Sequence, residues 1–306
     1  MARGLTLFRT RLARRHIQFL SMLVYNADLQ GFIGGTVSRS PLKRFCVPGL
    51  NCYSCPGAVA SCPLGALQNS LAQGRFPFLV TGLLLLFGLT LGRGVCGFLC
   101  PFGLIQELLY RIPSPKLPKN RLTRKLSLLK YGVLALPVLA LPLGAFFVYG
   151  YGDPVFCKFL CPAGTLEAGL PLVFLDAALR KLVGGLFFLK LALLIAAITA
   201  ALFIFRPFCR FLCPLGALYG LFNRLALFGM EIREERCTHC GACAALCRMD
   251  TQRALDRECI RCGACAGTCP ARALRRNWNR EPEQGAAGNR GSRSSRKEKQ
   301  TKQTGK

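Results

Sequence analysis

Apolar residues along this chain collect into four long runs, separated by shorter stretches whose apolar positions recur at helical spacing. Residues 186–205 are apolar apart from Lys190 and Thr199. Residues 131–149 are apolar apart from two tyrosines at the ends, with Pro137 and Pro142 as expected kinks. A third run, 76–92, lies near the lower length limit for a bilayer span. The first run, 17–37, contains Asn26, Asp28 and Gln30. Arg3, Arg9, Arg11, Arg14 and Arg15 precede it and no small-residue cleavage site follows, which predicts a retained anchor. Around the runs lie amphipathic pieces that each open on Cys-Pro: 63–71, 101–112, 162–181 and 214–228. They are too short or too polar to span, and predict interfacial or re-entrant helices.

Charge orients this pattern. The basic N-terminus is expected on the cytoplasmic side. The connection between the second and third runs carries Arg93, Arg111, Lys116, Lys119, Arg121, Arg124, Lys125 and Lys130 against Glu107 alone, the pattern of an inside loop. Residues 153–184 are poorer in cations and hold Asp153, Glu167 and Asp176, so they are expected outside, together with the loop 38–75. The result is a multi-pass protein of a prokaryotic plasma membrane, with four spans and both ends inside.

Composition sharpens the class. The chain is 52% hydrophobic yet has a net charge of +27, a combination typical of apolar spans joined by basic loops. Nucleic acid is not the expected partner, because the cations sit in loops and a tail without an aromatic-rich basic surface. The 18 cysteines fall in tight groups, and only two histidines accompany them. Such grouping favours metal or cluster binding over a disulfide framework. The expected fold is a membrane α-helical bundle of about four transmembrane helices plus interfacial helices (1–229), an α+β two-[4Fe-4S] ferredoxin module (230–275) and a disordered basic tail (276–306).

The module is defined by two cysteine runs. Cys237, Cys240, Cys243 and Cys247 are followed by Cys259, Cys262, Cys265 and Cys269, the spacing of a bacterial two-cluster ferredoxin. Three cysteines on one tight loop reach three irons of a cubane, and the fourth cysteine of each run serves the other cluster. One [4Fe-4S] cluster is therefore expected on Cys237, Cys240, Cys243 and Cys269, and another on Cys259, Cys262, Cys265 and Cys247. Zinc usually takes two Cys-x-x-Cys pairs across a longer spacer. Arg248 stands where the usual motif has proline, and His239 reads as a spacer.

A second phrase recurs three times: CGFLCPFGLI from Cys96, CKFLCPAGTL from Cys157 and CRFLCPLGAL from Cys209. Proline after the second cysteine suits the first turn of a new helix. The N–H groups and positive dipole end of that helix then face the thiolates of an anionic cluster. Each phrase supplies two thiols, half of what a cubane needs. Topology pairs Cys96 and Cys100 with Cys209 and Cys213 on the inside. It leaves Cys157 and Cys161 outside with Cys46, Cys52, Cys55 and Cys62. Of these, Cys62, Cys157 and Cys161 are expected ligands, Cys55 or Cys52 is the fourth, and Cys46 is open to a disulfide. One or two clusters beyond those of the module are thus expected, with iron held through the same cysteines. A dithiol switch and a zinc site are the competing readings.

GRGVCGFLCPFG, RPFCRFLCPLGAL and the tandem four-cysteine runs resemble the membrane-bound 4Fe-4S polyferredoxins of the NapH, NosR and CcoG type, over roughly residues 15–274. The loop FCVPGLNCYSCPGAVASCPLGALQ is similar to a subgroup of these proteins. NapH-like proteins are associated with quinol oxidation and electron delivery to nitrate reduction, NosR-like proteins with nitrous oxide reduction, and CcoG-like proteins with copper-oxidase assembly. The phrase at Cys157 and the six outside cysteines depart from the two-phrase NapH pattern. The expected function is electron transfer between the cytoplasmic module, the membrane clusters and a quinone or extracytoplasmic acceptor. Redox proteins, quinone and membrane lipid are the expected partners, and a quinol dehydrogenase subunit is the enzymatic role that fits. The alternative is an accessory protein that reduces metal ions or thiols during assembly of another redox enzyme. No nucleophile, general-base pair or phosphate loop is visible. Asp28 reads as an interfacial acid, or as a proton relay to quinone.

Overall fold

The computed structural model describes residues 2–276, with side chains described for residues 13–275. The expected tail lies outside the described residues beyond Arg276. Two helices, Arg121–Tyr149 and Gly185–Phe203, are long and apolar enough to cross a membrane by length and composition. At about 1.5 Å per residue, the second measures roughly 28 Å, close to the thickness of a bilayer core. Both leave large apolar side chains uncovered, among them Leu136, Phe147, Phe188 and Ile195. The first widens into a π-helical turn over Leu134–Ala140, where Pro137 removes a backbone donor.

The other two expected spans differ. Phe78–Thr90 is one helix of 13 residues, roughly 20 Å. The run 17–37 is not a single helix. The chain is helical over Ala2–Tyr25, arginines included, breaks, and resumes briefly over Gln30–Gly34. Polar chemistry at the break explains it. The Asn26 amide turns back to the Met22 carbonyl and across to Asn51, the Asp28 N–H donates to Gly57 O, and the Asp28 carboxylate accepts from the Ser38 hydroxyl. Asp28 is thereby tied to the cysteine loop at the end of the helix.

Four of the six Cys-Pro steps open helices, and those at Cys55 and Cys269 lead into turns. Cys62, Cys100, Cys161 and Cys213 are N-caps in extended conformation, and the following proline takes the first helical position. The helices run Pro63–Ala72, Pro101–Leu109, Pro162–Leu175 and Pro214–Phe222. The first cysteines of the repeated phrase lie in separate one-turn helices before the break, α-helical around Cys96 and Cys209 and π-helical around Cys157. Each phrase is therefore bent between its two thiols.

The C-terminal module is closed by a two-stranded antiparallel ribbon, Met230–Ile232 with Leu274–Arg276. Between the strands the chain traces the same path twice. His239, Gly241 and Asp250 have positive φ, and so do Arg261, Gly263 and Arg272 at the matching positions of the second run. A single hydrophobic core takes in Cys62, Cys96, Cys100 and Cys213 together with Met249 and Ile260 of the module.

Candidate metal centres

Cys96, Cys100, Cys209 and Cys213 are all buried and lie within electrostatic reach of one another. The two phrases expected to pair therefore do meet. Burial pushes the Cys100, Cys209 and Cys213 thiols above their usual range, and neighbouring thiols push them further. Without metal these thiols hold their protons, and a metal must displace them. Backbone geometry offsets part of that cost. The Gly216 N–H donates to Cys213 Sγ at 3.4 Å, and the Gly103 N–H faces Cys100 in the same way. The glycine of each phrase thus supplies one of the unpaired N–H groups of its helix.

Cys52, Cys62, Cys157 and Cys161 form a second group around a cavity of about 440 Å³. The Gly164 N–H donates to Cys161 Sγ at 3.4 Å, and the Gly65 N–H faces Cys62. Burial raises Cys52 and Cys157, and raises Cys161 to about 12. Cys52, not Cys55, sits with the other three. A turn closed by the Cys55 N–H on Cys52 O points the Cys55 thiol to the side-chain amide oxygen of Asn26, 3.4 Å away. Cys46 faces Cys62 but forms no disulfide, and its thiol is pushed up to about 11 by burial.

In the module, Cys237, Cys240, Cys243 and Cys269 line one hollow, and Cys247, Cys259, Cys262 and Cys265 line another. Cys243 borders both. His239 comes within 4.8 Å of Cys237 and Glu234, counted between ligand atoms, closer than a spacer needs to be.

The centres adjoin one another. The module is seated on the paired-phrase site by Glu258 against Arg93 and Lys130, by Asp250 against Arg210 and Arg124, and by Asn223 donating to the Asp256 and Cys259 carbonyls. The Ile260 carbonyl approaches Gly97 so closely that a Cβ there would lie 2.4 Å from it. Arg248, which replaces the usual proline, stacks 5.8 Å from the ring centres of both Tyr110 and Phe205. On the other side, one stretch walls both membrane centres. Gly49 packs on Cys100, the Leu50 N–H faces Cys100, the Asn51 N–H faces Cys62, and Cys52 belongs to the second group.

Sequence reasoning missed the residue six positions after each N-cap cysteine. These residues are Gln68, Gln106, Glu167 and Tyr219. Each lies one turn beyond the phrase glycine, hence on the same helix face. Three reach the cysteine-bearing segment opposite. Gln106 accepts from the Phe208 N–H and donates to Cys209 Sγ at 3.1 Å. Gln68 accepts from the Cys157 N–H, and Glu167 from the Cys52 N–H at 2.6 Å. Burial raises the Glu167 carboxyl to about 7 although that N–H draws it down. Tyr219 instead donates to Pro48 O, on the shared wall. A polar residue at a fixed offset in four apolar helices was the available signal.

The residues fit iron–sulfur clusters. The two membrane centres offer thiols, soft ligands, backed by helix N-termini. Donors around the paired-phrase site are also left over. Arg93 Nε and Arg206 Nε are buried with no hydrogen-bond partner among the described residues. Leaving a buried donor unpaired costs about 1–3 kcal/mol, so a cluster of them marks a missing acceptor. Sulfides of a cubane are such acceptors.

Comparison with known proteins agrees with this chemistry. A family model described as a 4Fe-4S binding domain matches residues 73–120, 134–172 and 186–232. Each match contains one copy of the repeated phrase. An uncharacterized protein of Methanocaldococcus jannaschii is 28% identical over 197 residues, 61% of this chain and 73% of its own length. The methylamine utilization ferredoxin-type protein MauN of Methylorubrum extorquens is 30% identical over 60% of this chain and 59% of its own. The regulatory protein NosR of Stutzerimonas stutzeri is 28% identical over 52% of this chain but only 20% of its own. The chain thus spans about three quarters, somewhat over half and a fifth of these relatives. No solved structure matches it.

Proposed function

We propose, because the chain is a 4Fe-4S polyferredoxin of the NosR and NapH type, that it conducts electrons along a row of four clusters within a membrane. The row runs from Cys237, Cys240, Cys243 and Cys269 to Cys259, Cys262, Cys265 and Cys247. It continues to Cys96, Cys100, Cys209 and Cys213, and ends on Cys52, Cys62, Cys157 and Cys161. The observation that carries this reading is contiguity. Cys243 borders both hollows of the module, Ile260 abuts Gly97, and the stretch 49–52 touches both membrane centres.

Bound clusters supply one-electron redox chemistry. The chain's own residues hold them dry, orient the thiols and aim N–H groups at them. The module and the basic N-terminus face the cytoplasm in this reading. The partner at the far end, a quinone or an extracytoplasmic redox protein, meets the cavity beside Cys157, whose rim residues Tyr53, Asp153 and Lys158 are exposed. That open rim also supports the second reading, an accessory protein that reduces metal ions or thiols there.

The test is spectroscopic. Cys209→Ser and Cys157→Ser should each remove about a quarter of the iron and a different electron paramagnetic resonance signal. Electrons given to the module should reach the Cys157 centre only while Cys209 is intact. If Cys157→Ser with Cys161→Ser leaves iron and spectrum unchanged, that centre holds no cluster.

A further inference from the structure

The paired-phrase site is surrounded by unbalanced charge. Glu107 is shared by two cations, Arg14 at 2.6 Å and Arg206 at 2.8 Å. Glu258 is likewise shared by Arg93, at 2.6 Å, and Lys130. Each triad is one positive charge in excess. The excess is buried, since Arg93, Arg206 and Lys130 have no exposed side-chain surface and Arg14 and Glu107 almost none.

These cations face the thiols. Arg206 Nη1 donates to Cys96 O, and Arg93 Nη2 donates to Cys209 O at 3.2 Å. Lys130 lies within electrostatic reach of Cys213. Arg206 is held there by a left-handed backbone, φ 50°, which a side-chain-bearing residue adopts only under constraint. A buried ion pair barely repays its desolvation, and a buried triad with a surplus cation does so less well. Such a group is stable only beside another anion. Among the described residues the Cys52 site has no such buried surplus: Glu167 stands against Cys52 and Lys190 against Cys157, Lys158 and Asp153 at the rim pair with each other in solvent, and Lys43 reaches the loop from its open side.

We propose that the two triads hold the paired-phrase cluster at a higher midpoint potential than the Cys52 cluster, so that of the two membrane centres it is the one that fills first as electrons enter. Positive charge near a cluster stabilises the reduced form, which carries one more negative charge. Arg93 and Arg206 are positioning residues in this scheme: they ligate nothing and act through the field. The inference rests on the proposed cluster at these cysteines.

The experiment is a redox titration of the full-length protein in detergent or nanodiscs, followed by electron paramagnetic resonance. The signal lost in Cys209→Ser identifies the cluster. Arg206→Gln and Arg93→Gln should shift its midpoint downward. Glu107→Gln and Glu258→Gln should shift it upward, with iron content unchanged. The signal lost in Cys157→Ser should stay in place throughout. A structural defect does not move potentials in opposite directions for opposite charge changes. Shifts of one sign in all four variants, or none, overturn the inference. If Arg206→Gln loses its iron, Arg206→Lys, which keeps the charge, and the more exposed Glu258→Gln decide the matter. If Cys209→Ser removes no signal, it is the cluster assignment that fails.

Discussion

The two membrane centres are built from one motif and differ in everything around it. Both have Cys-Pro N-caps, a glycine N–H on the sulfur and a polar side chain reaching across. Around Cys96, Cys100, Cys209 and Cys213 the protein closes completely and supplies guanidinium groups. Around Cys52, Cys62, Cys157 and Cys161 it leaves a cavity and places a carboxylate. The motif sets ligation, and the surroundings set what each centre can exchange electrons with. In the proposed function one serves handover inside the chain, the other contact with something outside it.

The largest effect should come from removing ligands, and it sharpens the comparison where the loop offers two candidates. Cys52→Ser should cost the Cys157 centre its cluster, whereas Cys55→Ser, whose thiol turns to Asn26, should retain it. Iron analysis and electron paramagnetic resonance read this directly. Equal loss in both variants would mean that the turn at 52–55 rearranges to use Cys55.

Next in size is a steric test of the seam. Gly97→Ala would set a Cβ 2.4 Å from the Ile260 carbonyl, backbone against backbone. Overpacking of this kind costs about 1–3 kcal/mol, and here the cheapest relief is to lift the module. Limited proteolysis should release the module, and reduction of the paired-phrase cluster through it should slow at least about tenfold. Gly65→Ala at the other centre meets the Tyr53 ring at 3.2 Å, which can tilt away, so it should be mild. If the two variants behave alike, the seam is not tightly packed.

Much of this was legible in the cysteine spacing and little in the rest. The Cys-Pro steps gave four helix starts because proline and an N-cap are local chemistry. The pairing of Cys96 and Cys100 with Cys209 and Cys213 followed from the side of the membrane that loop charge assigns to each phrase. Cys52 against Cys55 could not be read, because a single turn decides it and that turn is anchored by Asn26 from another helix. Residues 17–37 read as one span because periodicity does not register what Asn26 and Asp28 bind. Arg93 and Lys130 counted as loop cations and Arg206 did not stand out, since sequence gives their charge but not their burial. Arg248 stood out as a departure, and only tertiary contact with Tyr110 and Phe205 explains it.

Acid should loosen one side of the comparison selectively. Burial alone would raise the Glu107 carboxyl, but Arg206 and Arg14 override it and hold it below its ordinary 4.5. A depressed carboxylate contributes stability above the unfolded value and loses it as pH falls through the folded one. The clamp between the N-terminal helix and Pro101–Leu109 should therefore persist at pH 5 and fail only below about 4.5. Hydrogen exchange in residues 13–25 should rise over that window, and Glu107→Gln should abolish the rise. Protection that fades already between pH 7 and 5 would mean that Glu107 does not carry the clamp.

The smallest expected effect tests the link between the centres. Tyr219 has no exposed surface and donates to Pro48 O at 3.0 Å, just before the stretch that walls both sites. Its counterparts stay within their own centres, Gln68 and Glu167 accepting from the Cys157 and Cys52 N–H groups and Gln106 donating to Cys209 Sγ, so Tyr219 is the one that reaches the shared wall. Tyr219→Phe keeps the ring and leaves the Pro48 carbonyl buried without its donor, a cost of about 1–3 kcal/mol. Both clusters should remain, because no ligand and no N–H on sulfur is lost. The stretch 49–52 should exchange its amide protons faster, and electron passage from the Cys209 centre to the Cys157 centre should slow severalfold while reduction of the Cys209 centre by the module does not. If both steps slow equally, Tyr219 serves general stability. If neither changes, the common wall is held by Gly49 and Leu50 against Cys100 alone, and the two centres are coupled through backbone without help from the tyrosine.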